Sequence, residues 1–204
     1  TLIFLIGGIC ILSLKKSMQE QSSPQTAQIT DNSKISPQQI GLWLILAFVP
    51  SSLMLGLTSH ITASIGAIPL FWVAPLTAYI LSFIMAFSKH QIIPLWATRV
   101  IFAALFLIVF CILNLLPYIN WGITCVHFIL LFFTCLMCHQ ELVRLKPSVK
   151  HLTFFFLILS SGGALGGLFN AILAPQLFLQ PHEYMVAAIL SVFLWNIHEP
   201  FLKK

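Results

Sequence analysis

Cys135, Cys138 and His139 carry the most recognisable chemical spacing in this chain: Cys-x-x-Cys-His. That string attaches c-type haem. With His151 as a folded-back fourth ligand, the same residues would suit zinc. Haem attachment needs an exported, accessible loop, whereas this string ends an apolar run. Two buried thiols and an interfacial histidine are the plainer reading, so no cofactor or metal is expected.

Gly162-Gly163-Ala164-Leu165-Gly166-Gly167 holds two overlapping Gly-x-x-x-Gly pairs, 162/166 and 163/167. No strand precedes them, so a dinucleotide loop is excluded. Within a membrane helix such pairs form a flat groove that admits a neighbouring backbone, and Asn170 continues the 162/166 stripe with an amide able to bond across the helix pair.

Two sets of ionisable residues remain. His60, His182 and Glu183 form a candidate cation site on one side, and His139, Glu141, Arg144 and His151 a candidate polar cluster on the other, read as one short loop. His127 falls near the middle of an apolar segment, where a hydrogen-bonded packing role is favoured over a proton relay. No Ser-His-Asp arrangement, paired intramembrane carboxylates or phosphate loop stands out, so no catalytic residue is assigned. Pro50, Pro69 and Pro75 remove helix hydrogen bonds and kink their segments, a feature of packing or of a substrate path.

The elements that carry these residues follow from composition. Of 204 residues, 59% are hydrophobic and 7% charged, and the mean hydropathy is +0.98. An ordinary soluble domain has about a quarter of its residues charged. The apolar segments are too long and continuous for the alternating strands of a barrel. The expected fold class is therefore all-α: a polytopic membrane helix bundle of about seven spans. Residues 1–14 read as a truncated first helix and 15–39 as a polar linker. Residues 40–198 read as a six-helix membrane domain and 199–204 as a short basic tail. The spans are placed at 40–58, 66–87, 98–116, 121–138, 152–174 and around 184–197. Ser36-Pro37 is a start signal for the first of these six, with serine as cap and proline in the first turn.

All ten Lys and Arg residues fall in alternate connections: Lys15, Lys16 and Lys34, then Lys89 and Arg99, then Arg144, Lys146 and Lys150, then Lys203 and Lys204. The positive-inside rule makes that side cytoplasmic and places the C-terminus there. The same rule accounts for the net charge of +5, so no nucleic-acid partner is implied. The five cysteines sit in apolar runs and form no disulfide framework.

Three groups of residues resemble a known family. The first is Ala47-Phe48-Val49-Pro50-Ser51-Ser52-Leu53-Met54-Leu55-Gly56 with Thr58-Ser59-His60, then Ile68-Pro69-Leu70-Phe71-Trp72-Val73-Ala74-Pro75-Leu76 and Tyr79-Ile80-Leu81-Ser82-Phe83. The second is Cys138-His139-Gln140-Glu141-Leu142, Leu145-Lys146-Pro147-Ser148, His151-Leu152-Thr153 and the glycine string through Asn170. Ala174-Pro175 and Glu183-Tyr184 complete the set. Over roughly residues 40–185 this resembles the membrane portion of bacterial fused membrane/spermidine-synthase-like proteins. The resemblance implies an inner-membrane location and a cytoplasmic domain of aminopropyltransferase-like, Rossmann type. No residue here corresponds to that domain's catalytic strand ends or glycine-rich loop, so no synthase activity is carried over. The expected function is a non-catalytic membrane module that anchors or regulates such a domain or protein. The alternative is a transporter of a small solute, such as a polyamine or other cation. The expected partners are the lipid bilayer, the cytoplasmic domain and a second copy of the chain.

Overall fold

The computed structural model describes residues 35–65, 72–89, 92–115, 121–177, 187 and 189–192. The first predicted helix, most of the polar linker and the basic tail lie outside them, as do His182 and Glu183. Within them the protein is all-helical, with no strand.

Helix α1 spans Pro37–Ile65. Its start is a capping box: Ser36 Oγ accepts from the Gln38 N–H at 3.3 Å, and Gln39 Oε1 accepts from the Ser36 N–H at 3.2 Å. Pro37 occupies the first helical position, where a missing N–H costs nothing. Pro50 lies inside the helix, which runs on past it. The longer described helices that follow are α2 (Val73–Phe87), α3 (Leu95–Leu115), α4 (Trp121–Arg144) and α5 (Leu152–Leu168). A 3-10 turn at Val149–His151 leads into α5, and a π-helical turn at Phe169–Leu173 carries α5 on to Ala174–Leu177.

Three segments are long and apolar enough to cross a bilayer: Pro37–Thr62, Gly122–Arg144 and Val149–Leu177. Val73–Phe87 and Leu95–Val109 are shorter apolar helices. Hydroxyl side chains within these helices bond back to the preceding turn. Thr58 donates to Met54 O, Thr77 to Val73 O, Thr134 to Leu130 O and Ser161 to Leu157 O, all at 2.8–2.9 Å. Such bonds let polar residues stand in lipid without an unmatched donor.

Helix α4 is the hub. It packs on α1, α2 and α3, while α5 packs chiefly on α1. The paired residues fix the directions. Gly162 meets Leu44 and Gly166 meets Phe48, so α5 runs parallel to α1. His127 meets His60, while Leu145 meets Trp43, so α4 runs antiparallel to α1. The described basic residues Lys89, Arg99, Arg144, Lys146 and Lys150 therefore gather at one end of the bundle. Two apolar clusters fill its interior. Trp43, Val49, Phe102, Leu130, Met137 and Phe155 lie in one, and Leu53, Leu57, Ile61, Leu131 and Ala187 in the other. The Trp43 and Phe155 rings meet edge to face with centroids 5.1 Å apart. The outward faces keep large apolar side chains exposed, among them Ile84, Leu107, Leu157 and Ile172, which suits contact with lipid tails.

Candidate functional sites along helix α4

The predicted inner cluster does not sit in a loop. Helix α4 continues to Arg144, so His139, Glu141 and Arg144 occupy its last two turns. His151 is separate, in the 3-10 turn. The extension has a packing cause. His139, Gln140 and Glu141 are all buried, at 1%, 4% and 5% exposure, and each meets a different partner offered by a neighbouring element.

His139 faces α2. Its Nδ1 lies 3.0 Å from Ser82 Oγ. Ser82 spends its own hydrogen on Tyr79 O at 2.7 Å, so the network assigns Nδ1–H of His139 as the donor and Ser82 Oγ as the acceptor. The imidazole is held edge-on between the Tyr79 and Phe83 rings, with centroids 5.2 and 5.1 Å away. Although a serine and a histidine are in contact, the histidine gives a proton to the bond rather than taking one. The hydroxyl, 0% exposed as part of Ser82, points into a backbone carbonyl. This is the reverse of a nucleophile and its base.

Glu141 faces α3 and pairs with Arg99, while Arg144 Nη1 stands 3.7 Å from the same Glu141 Oε1. Arg99 appears in the sequence only as a loop charge. The signal that singles it out is that Glu141 is the sole acidic residue between Asp31 and Glu183, so a buried carboxylate there needs a base from the adjoining segment. Gln140 Nε2 donates to Ile93 O at 2.7 Å, and Trp43 Nε1 donates to Leu145 O at 3.2 Å. These bonds staple α1, α2 and α3 to the end of α4. Among the described residues, Arg99 Nε and Gln140 Oε1 are buried without a partner.

Cys135 and Cys138 are both fully buried inside α4. A helix interior packed by its neighbours gives haem no attachment edge. Among the described residues no group of three or more His, Cys, Asp or Glu is placed to hold a metal, so Cys135, Cys138, His139 and His151 do not converge as a zinc set. His151 is partly exposed, and its backbone N–H donates to Ser148 O at 3.0 Å.

At the other end, His60 belongs to α1 rather than to a loop over 59–65. Its ring stacks on that of His127, centroids 5.9 Å apart and planes 27° from parallel. His127 is 2% exposed, and its Nδ1–H donates to Ile123 O at 2.8 Å. The predicted companions of His60, His182 and Glu183, lie outside the described residues. Between the two polar ends of α4 lies an apolar layer in which Leu53, Leu57 and Leu131 are each 0% exposed.

The glycine string divides by direction. A Cβ on Gly162 would fall 2.5 Å from Leu44 O, and one on Gly166 would fall 2.7 Å from Phe48 O. Those two glycines admit the backbone of α1. A Cβ on Gly163 would meet open space, and one on Gly167 only Leu55 Cδ1 at 3.9 Å. The groove therefore comes from the 162/166 pair. Ser51 Oγ donates to Gly163 O at 2.9 Å across the same seam.

Comparison with known protein families, curated proteins and solved structures gave no match.

Proposed function

We propose that this chain is a non-catalytic integral membrane module of about seven spans in a bacterial inner membrane. Its C-terminus is cytoplasmic, and it anchors or regulates a cytoplasmic partner of aminopropyltransferase-like type. The observation that carries this reading is the stapled basic end. Glu141, His139, Gln140 and Trp43 bind α1, α2 and α3 to α4 where Lys146 and Lys150 project. A rigid, positively charged rim supports a docking platform better than a reaction centre, and the resemblance noted in the sequence names the partner. The test uses membrane vesicles of both orientations with a purified aminopropyltransferase-like domain. Saturable binding to inside-out vesicles alone is the expected result. Equal binding to both orientations, or none, overturns it.

A transporter is the second reading. It is favoured by the histidine pair at membrane depth between α1 and α4, because ionisable groups in spans mark solute or ion paths. Proteoliposomes holding the protein would then accumulate labelled spermidine above the level of empty liposomes.

A further inference from the structure

Helices α2 and α5 meet at the basic end of the bundle through Phe87 and Phe156, whose ring centroids lie 6.2 Å apart. Along their lengths the two are not packing partners: α2 packs chiefly on α4, and α5 on α1. The ring pair therefore closes one end of a cleft. Helix geometry places Ile84 and Ile80 one and two turns back from Phe87 on the same face, and both are exposed. Ser160 and Gly163 stand one and two turns on from Phe156. Ser160 is exposed, and its hydroxyl donates to Phe156 O at 2.9 Å, while a Cβ on Gly163 would meet open space. The walls of the cleft are thus apolar, and they ask no hydrogen bond of an occupant.

The charge lies at the closed end. Lys89 follows Phe87 by two residues, and Lys150 stands in the 3-10 turn that leads into α5; both are exposed. Glu141 is the sole acidic residue among the described ones, and it is buried against Arg99 beside Arg144. The two lysines therefore call for an anion from outside the described residues. A helix seated in the cleft would answer its apolar walls alone. An anionic phospholipid answers both parts, because lysines at the ends of membrane helices extend toward the headgroups and acyl chains cover apolar side chains.

We propose that the α2–α5 cleft holds an anionic phospholipid, with its phosphate between Lys89 and Lys150 and an acyl chain against Phe87, Ile84 and Phe156. The site lies on the flank of the bundle. It goes beyond both functional readings and stands whichever of them holds.

The test is native mass spectrometry of the full chain released from nanodiscs that contain equal amounts of phosphatidylglycerol and phosphatidylcholine with the same acyl chains. Phosphatidylglycerol should be retained at least about fivefold more than phosphatidylcholine, the scale of one lysine near an anionic surface. Lys89→Gln and Lys150→Gln should each lower that preference about fivefold. Lys146→Gln, at the same end but on α4's side, should leave it unchanged. Ser160→Phe fills the cleft and should displace the lipid while the folded yield in detergent holds. Excess glycerol phosphate, which has the headgroup chemistry without the chains, should not compete. Equal retention of the two lipids would overturn the site, as would a loss with Lys146→Gln as large as with Lys89→Gln, or displacement by glycerol phosphate. A dimer abolished by Ser160→Phe would instead assign the cleft to a second copy of the chain, and a disulfide between Ser160→Cys and Cys10 would assign it to residues 1–14; either overturns the lipid. The wild-type comparison of the two lipids decides the matter even where a variant fails to fold.

Discussion

Asn170 reaches from the π-helical turn after α5 and donates to Ser52 Oγ on α1 at 2.8 Å, while the same amide nitrogen lies 2.9 Å from Gly166 O one turn back. One side chain therefore ties the irregular turn to its own helix and to its neighbour, at the level where Gly166 lets the two backbones meet.

Removing that tie should be measurable. Asn170→Ala is expected to cost about 1 kcal/mol, the scale of an interhelical hydrogen bond in a membrane protein. Unfolding in mixed micelles should also show positive coupling between Asn170→Ala and Ser52→Ala. Strict additivity of the two would show that the bond contributes nothing.

The glycines supply their own control. Gly166→Ala should destabilise the α1–α5 seam by about 1–3 kcal/mol, since its Cβ would meet Phe48 O at 2.7 Å and Ser51 Cβ at 3.0 Å. Gly163→Ala faces open space and should be neutral, or stabilising by up to about 1 kcal/mol through helix propensity. Thermal denaturation of the two variants in one detergent compares them directly. A loss at Gly163 as large as that at Gly166 would contradict the assigned faces.

The stapled end should respond asymmetrically. Glu141→Gln leaves the guanidinium of Arg99, partly buried against α4, without its counter-charge. A loss of about 2 kcal/mol is expected, below the cost of breaking a wholly buried pair. Replacing Glu141 and Arg99 together with methionine should recover most of that loss. Folded fraction by size exclusion gives the ranking, and a double variant worse than Glu141→Gln would count against the ion pair as the source.

Sidedness is open to labelling. Thr62 and Ser148 are both exposed, at opposite ends of the bundle. With Cys111 and Cys125, both exposed, replaced by alanine, a cysteine introduced at Thr62 should react with an impermeant maleimide added to intact cells. One introduced at Ser148 should react only after permeabilisation. The opposite pattern would invert the orientation drawn from the positive charges.

Composition and apolar run length were enough to read the helical class and its need for lipid, because a bilayer leaves long apolar segments no other regular way to satisfy their backbones. The cap at Ser36-Pro37 was equally legible, since capping is made of local bonds between residues two and three apart. The end of α4 was not. Polar His139, Gln140 and Glu141 look like the start of a loop, yet the helix runs on through them, and the partners that accept them in the interior, Ser82, Ile93 O and Arg99, arrive from distant parts of the chain. The glycine spacing was visible too, yet the 162/166 and 163/167 pairs point in different directions. Only the approach of α1 selects Gly162 and Gly166 from them. His60 and His127 are 67 positions apart in the chain, and no periodicity joins them. Their stack exists because α4 runs antiparallel to α1 in one register, a relation set by packing between helices rather than by the sequence within either.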